Sequence, residues 1–502
     1  MRLFDPHSLS DNNKFHYFCK KSHAMSPVKN KVKFTLTPNI ITLSAFIVFS
    51  YMLLAVKNGY MLRWYDEMSL FLPDRIFFDS FMNYPGGILR YIGAFLTQLM
   101  YYPWLGITIL VALWIFMSWV IKLAFSLDGS AYPLTIVAPL LMIATIVQLD
   151  EAWLSLNTPG YLFSNTFGFT LSTAALLAYR SIGNPLLRAV TGVIIVATYP
   201  LFGFFALLAG VMCIACEAVT ITLSRRYGGI AAVVVTIVAI IAVPQLYFRY
   251  MPGTTVDNNC LYVKGLPELM MKGWDMYLWI PLIATSLLLV ILAATQKLIG
   301  EKFKSSKGVN YLTIACAVLT AVYVYSAGQK SEQLRATVLM LYHIDHNRWD
   351  NVVNVMSRVK EQPDYNMTLL NNTALIKLGG GANSAIKPRN TPDGNPRKNE
   401  SFTMTAFVQV PVNYHLGKTN QSYRWAMEHS VKYGKRVYFL KYLVKCALLN
   451  DEFKLAKRYN DLLMSTMFHR NWAEHYNRYI ENPELMKQSQ EFMSIPKLIL
   501  AD

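Results

Sequence analysis

Two adjacent carboxylates, Asp66 and Glu67, follow the first long apolar run of this chain, immediately after Arg63, Trp64 and Tyr65. At a membrane surface, neighbouring acids are costly to desolvate without a role or a partner. A carboxylate there has two chemical uses: general base on an acceptor hydroxyl, or oxygen ligand of a divalent cation. It also has a structural use, because acids favour helix N-termini and the pair could cap the helix that follows. The residue types alone do not choose among these. Other chemistries lack their residues. The nine histidines form no HExxH pattern. His343 and His346 are three apart on a predicted helix, which reads as an exposed face. No Gly-rich phosphate loop, nucleophile elbow or dinucleotide fingerprint occurs. Cys213 and Cys216 have CxxC spacing inside an apolar run, where they read as small hydrophobes.

The elements that must position the acids are membrane helices. The chain has 502 residues, 54% hydrophobic and 15% charged, against roughly 45–50% and about 25% in soluble domains. Its apolar residues fall in runs close to the roughly 17–25 residues that span a bilayer as a helix. Nine spans are expected, at about 39–56, 104–123, 131–148, 163–180, 186–200, 203–223, 229–248, 277–296 and 309–326. The fifth and sixth are one apolar stretch, divided at Tyr199-Pro200 because proline disfavours continuing a helix. The net charge of +17 is not a nucleic-acid signature, since no basic stripe interleaves with exposed aromatics. It concentrates in short segments beside the apolar runs, where it sets topology. Lys20, Lys21, Lys29, Lys31 and Lys33 put the N-terminus inside, and Lys122, Arg180, Arg188, Arg225, Arg226 and Lys297–Lys307 fall on the same side. Asp66, Glu67, Asp74, Asp79, Asp150, Glu151, Asp257, Glu268 and Asp275 fall outside. Glu217, inside the sixth run near its inner end, is expected to reach Arg225 or water.

Three regions follow: a basic cytoplasmic segment 1–38, a transmembrane domain 39–326 with an outer loop at 57–103, and an outer helical domain 327–502. In that last domain, helical-period apolar positions mark 333–346, 349–360 and 366–378, then, after a polar stretch at 379–399, 421–433, 435–449, 452–465, 469–480 and 482–492. Trp349, Pro363, Asn372, Ala374, Leu375 and Gly379 resemble a tetratricopeptide-type helix pair. A generic helical bundle is the alternative.

The outer loop is longer than a connection needs. Leu70, Phe71, Leu72, Ile76, Phe77, Phe78 and Phe81 form an amphipathic, interfacial segment. Asn83-Tyr84-Pro85-Gly86-Gly87 makes a turn, and a second apolar helix runs from Ile88 to Met100. This order resembles the first loop of family C glycosyltransferases, polytopic enzymes that use lipid-phosphate-linked sugar donors. Protein O-mannosyltransferases and aminoarabinose transferases are the most similar. The resemblance covers about 39–160, lacks the histidine-proline-proline turn of the mannosyltransferases, and has fewer spans. The whole chain also resembles a group of uncharacterised Bacteroidetes multi-pass proteins.

The transferase resemblance implies a bacterial inner-membrane enzyme with a polyprenyl-phosphate sugar donor. Asp66 would be the base with Glu67 beside it, and Asp150 or Glu151 would bind the acceptor or a divalent cation. Arg63, Arg90, Arg249 and Lys264 would hold the lipid phosphate by charge-assisted hydrogen bonds, although each alone also fits interfacial snorkelling. The competing reading is a non-enzymatic envelope scaffold, in which the spans, set among membrane lipids, anchor a partner-binding helical domain. A transporter is disfavoured, because charges are nearly absent from span centres and no inverted repeat is visible.

Overall fold

The computed structural model describes residues 38–149, 152–155, 160–224, 229–250, 260–266, 275–296, 306–328, 332–380 and 402–496. Every named element among them is helical. The first is α1 (Pro38–Tyr51), which runs on as a π-helical stretch to Lys57. Two single turns follow, α2 (Gly59–Leu62) and α3 (Trp64–Glu67), then α4 (Arg75–Met82) and α5 (Gly87–Thr97). The apolar part continues through α6 (Pro103–Phe125), α7 (Val137–Val147, after a 3-10 segment from Gly129), α8 (Ala152–Ser155), α9 (Tyr161–Ser181), α10 (Pro185–Ala197), α11 (Tyr199–Phe202), α12 (Phe204–Ser224), α13 (Ile230–Tyr250), α14 (Ile280–Thr295) and α15 (Lys307–Ala327).

Seven helices among the described residues are long and apolar enough to cross a membrane: Pro38–Lys57, Pro103–Phe125, Gly129–Val147, Phe204–Thr222, Ile230–Tyr250, Tyr277–Thr295 and Lys307–Ala327. This is a membrane protein in its helices, with their apolar faces set for contact with lipid. The remaining two expected spans differ for physical reasons. The α10 helix has 13 residues, short of the roughly 17–25 needed. The α9 helix is long enough but carries Ser164, Asn165, Thr166, Thr170, Ser172 and Thr173, all buried. Its hydroxyls are satisfied locally or across helices: Thr170 donates to the Thr166 carbonyl at 2.6 Å, and Trp114 Nε1 donates to Thr166 Oγ1 at 3.1 Å.

The division near Pro200 corresponds to a real reversal. Val196 packs where Gly210 leaves room for it, and Arg188 meets Glu217 at 2.8 Å, so α10 and α12 run antiparallel. The partner of Glu217 is therefore Arg188; Arg225, the expected one, lies outside the described residues. The chain turns at Gly203, whose φ of +58° and ψ of −135° suit glycine alone. There the backbone meets the 260–266 loop. Phe204 N–H donates to the Lys264 carbonyl at 2.8 Å, and a Cβ on Gly265, itself at φ +100°, would sit 2.9 Å from the Gly203 Cα. Cys213 and Cys216 are buried and unpaired with one another, with Gln296 Nε2 donating to Cys216 Sγ.

Beyond the spans come α16 (Glu332–Asp345), α17 (Trp349–Arg358), α18 (Tyr365–Lys377), α19 (Phe402–His415), α20 (Thr419–Tyr433), α21 (Val437–Leu449), α22 (Phe453–Met464), α23 (Arg470–Glu481) and the short α24 (Gln490–Met493). From α16 to α23 each helix packs on its neighbour in sequence. The α19 helix was not expected. Met404, Phe407, Val408, Val410, Val412 and Tyr414 bury it on every side, and Pro411 interrupts it. It thus has no polar stripe to give a helical period. It is also the seat of the first loop: the Trp64 ring meets Phe407 at 5.7 Å and Tyr438 at 5.3 Å, both edge-on.

Candidate functional site

The loop after α1 folds back because its apolar residues have somewhere to go. Asp74 caps α4, its Oδ1 accepting the Phe77 N–H at 2.6 Å, a contact typically worth about 1 kcal/mol. Phe77 and Phe81 then turn inward onto Phe71 and Tyr91, while Ile76 and Phe78 face outward. Asp74, not Asp66 or Glu67, is therefore the cap of the amphipathic helix. The acidic pair sits in the one-turn α3 and is used elsewhere.

Asp66 is 4% exposed. His469, at the N-cap position of α23, places Nε2 2.8 Å from Asp66 Oδ2; with Asp66 ionised, the imidazole N–H donates. Burial raises the Asp66 pKa, and the His469 hydrogen bond opposes that shift without cancelling it. Glu67 is treated oppositely. Burial alone would raise it, but Lys441 of α21, whose Nζ donates to Oε1 at 2.5 Å, and His469 together hold its carboxyl below the usual range. Tyr101 completes the frame, stacked on Phe468 at 5.1 Å and edge-on to His469 at 5.6 Å.

These groups wall a cavity of about 810 Å³ between the first loop and the C-terminal helices. Arg63, Lys441, Lys445 and His469 bring basic groups, and Asp66, Glu67 and Asp345 bring acids. Trp64, Trp104, Tyr342, Tyr438 and Trp472 supply ring faces. Asp345 accepts the Tyr442 hydroxyl at 2.6 Å, and burial pushes its carboxyl up to about 6. Lys445 pairs with Glu491 at 2.9 Å, and Tyr476 donates to the same carboxylate at 2.6 Å. Trp104, the second residue of α6, is 67% exposed at the cavity edge, so the cavity opens where a membrane helix begins. A carboxylate raised toward neutrality, hydrogen-bonded to an imidazole and facing a cavity, is matched to proton transfer at a hydroxyl.

The residues expected to form the site are divided. Asp66, Glu67 and Arg63 line this cavity. Arg90 and Lys264 line a second one of about 770 Å³. Arg249, at the end of α13, is exposed and lines neither. Asp150 and Glu151 lie outside the described residues, so their distance from Asp66 is not defined. Among the described residues no three His, Cys, Asp or Glu side chains converge as a metal donor set. His343 lies outside the cavity wall, while His346 stands exposed at its rim, its Nδ1 2.8 Å from the Tyr342 carbonyl. His469 and Lys441 were not singled out from sequence. They are 403 and 374 residues from the acids they hold, and no local pattern carries contacts at that separation.

One family description matches residues 33–501, nearly the whole chain. The protein belongs to DUF6057, a family of unknown function. No curated protein and no solved structure matches the chain. For this DUF6057 protein, the likeness to family C glycosyltransferases therefore rests on the sequence resemblance over about 39–160 alone, and its chemistry must be argued from the cavity.

Proposed function

We propose that this protein is a multi-pass enzyme of the bacterial inner membrane that transfers a sugar from a lipid-phosphate-linked donor to an acceptor hydroxyl. Asp66 serves as the base and His469 orients it and shares its proton. The observation that carries this reading is the buried Asp66–His469 pair on the wall of a cavity that opens beside Trp104. An ordinary surface acid has neither the burial nor the enclosed space. Ring faces and charges of both signs on the walls suit a polyhydroxylated substrate, and Arg63, which lines the same cavity, is the candidate to meet a phosphate. Asp150 and Glu151 are kept as candidates for the acceptor or a divalent cation. In this reading the chain crosses the bilayer nine times, counting α9 and α10. The N-terminus lies in the cytoplasm, and the domain from 327 lies in the periplasm as tetratricopeptide-like helix pairs. The α10–α12 hairpin supports that count, and nearest-neighbour packing from α16 to α23 supports the repeat-like description.

The test is complementation of a chromosomal deletion, with surface glycans as the readout. Asp66→Asn should fail to restore the glycan while accumulating at normal levels; full restoration overturns the enzyme reading. A second reading has its own observation. Asp66 and Glu67 of the first loop are each engaged by a side chain of the C-terminal domain, as expected of a non-catalytic scaffold whose polar contacts clamp a partner-binding domain to the membrane part. Restoration by Asp66→Asn together with failure of Lys441→Ala would favour it.

A further inference from the structure

One face of α6 carries Trp104, Ala112, Phe116, Trp119 and Leu123, all exposed. Their spacing of three or four residues, or multiples of it, places them on one stripe of the helix, turned away from the bundle. With 23 residues at about 1.5 Å each, α6 is longer than the roughly 30 Å of bilayer hydrocarbon. Its ends therefore reach the two interfaces. The first turn, Pro103 and Trp104, marks one of them. Tyr101 and Tyr102, 44% and 46% exposed, stand just beyond it. Aromatic rings with a polar tip gather at this level of a membrane.

The C-terminal domain adds to the same level. Its loop between α22 and α23, residues 465–469, lies against the residues that precede α6. Phe468 stacks on Tyr101 at 5.1 Å and meets Tyr102 edge-on at 5.8 Å. Met467, one residue earlier, is 61% exposed. The polar side chains of the loop are engaged close by: Ser465 Oγ donates to the Asp461 carbonyl at 3.0 Å, and Thr466 Oγ1 donates to the Leu463 carbonyl at 2.7 Å. From Leu462 to Ala473 the sequence contains no acid, and its arginine is Arg470, which is exposed and pairs with Glu474 at 3.0 Å. An apolar tip without carboxylates, with an exposed arginine beside it, suits the boundary where apolar side chains enter the bilayer and cations stay among the headgroups. Its continuity with the lipid-facing stripe of a spanning helix points to lipid as the occupant of this surface.

We propose that the 465–469 loop is a membrane-contact element, with Met467 and Phe468 seated at the boundary of headgroups and acyl chains beside Tyr101, Tyr102 and Trp104. The C-terminal domain thus docks on the lipid surface as well as on the first loop. The consequence reaches the candidate site. His469 follows Phe468 directly and stands at the N-cap position of α23, so lipid contact at Phe468 helps set the height at which the imidazole meets Asp66. The proposal does not depend on sugar transfer, because it concerns where the loop sits, whatever the Asp66–His469 pair does.

The test places a polarity-sensitive thiol-reactive fluorophore on a Met467→Cys variant of the full-length protein that also carries Cys19→Ser, Cys260→Ser and Cys316→Ser. The labelled protein is reconstituted in phosphatidylcholine–phosphatidylglycerol nanodiscs, where both faces meet solvent, and its elution volume and melting temperature are compared with those of the parent. Met493→Cys in the same background is the reference. Met493 is equally exposed, at 63%, but its neighbour Phe492 packs on Tyr476 and Tyr479 in the far half of α23. Elements at the boundary lie about 5–10 Å into the bilayer, so a nitroxide high on the lipid acyl chain should quench the label at 467 several-fold more than the label at 493. Emission at 467 should also be blue-shifted, and aqueous iodide should quench it less. Lipid quenching at 467 no greater than at 493 would overturn the proposal. A label at 467 shielded from both nitroxide and iodide would overturn it too, and would assign the surface to a protein contact such as a second copy of the chain.

Discussion

His469 Nε2 lies 2.8 Å from Asp66 Oδ2, and both side chains are 5% exposed. This contact joins the loop after the first membrane helix to the start of α23 and buries an acid that would otherwise face the membrane surface. Asp66→Asn removes the charge while keeping an acceptor oxygen for the imidazole N–H, so the fold should survive. Activity that depends on proton abstraction should fall at least about a hundredfold. Complementation with glycan readout, together with a melting temperature within a few degrees of the parent, checks both halves.

Lys441→Ala strands Glu67 beside the buried Asp66. Losing one partner of a fully buried pair costs about 3–5 kcal/mol. The Glu67 side chain keeps 24% exposure, so about 2 kcal/mol is expected after allowing for solvent screening. Replacing both residues by alanine should cost less than Lys441→Ala alone. Chemical or thermal denaturation of the three variants in one detergent decides it, and a more severe double variant would contradict the pairing.

Asp345 gives a pH signature. Burial raises its carboxyl to about 6, above an unfolded value near 4. The folded state therefore binds the proton more tightly, and the stability this supplies is complete below about pH 4 and lost as pH rises through about 6. The side chain is partly exposed, which limits the effect to about 2 kcal/mol. The stability difference, parent minus Asp345→Asn, should fall by that amount between pH 4 and pH 7.5. A constant difference would show that the carboxyl titrates normally.

His429 works in the other direction. It is 4% exposed, with its ring stacked on Phe439 at 4.8 Å. Burial lowers its pKa to about 4, and Arg436 and Lys432 add to the shift. The unfolded chain protonates near 6.5, so stability present above that value is lost as pH falls toward 4, by up to about 3 kcal/mol. His429→Phe should flatten the acid limb of a melting-temperature profile between pH 6.5 and 4.5. His415, fully buried with its pKa well below the ordinary value, will keep part of the slope in that variant.

Gly265→Ala tests the backbone junction. Its φ of +100° and a Cβ 2.9 Å from the Gly203 Cα imply strain of about 1–3 kcal/mol and displacement of the Lys264 segment. Melting temperature should drop, and accessibility of a cysteine placed at Lys264 should change. Wild-type values for both would mean that the two segments are less closely apposed than described.

Much of the membrane part was legible because burial in lipid demands long apolar helices, and those are visible in one dimension. The α17, α18, α21 and α22 helices were equally readable, since polar turns separate them. Asp66 and Glu67 stood out as acids placed where acids are expensive. Three features were hidden. The α19 helix is apolar all round and so has no period. The capping role belonged to Asp74, eight residues past Asp66, where the chain first turns helical again. The partners His469 and Lys441 depend on how the C-terminal helices close over the first loop, which no local spacing encodes.

The α3 turn has a further consequence. Trp64, Asp66 and Glu67 face the first cavity, while Tyr65 and, just beyond the turn, Met68 and Ser69 face the second. The partition between the two chambers is thus one turn of helix, so a substitution that displaces its backbone is felt in both at once.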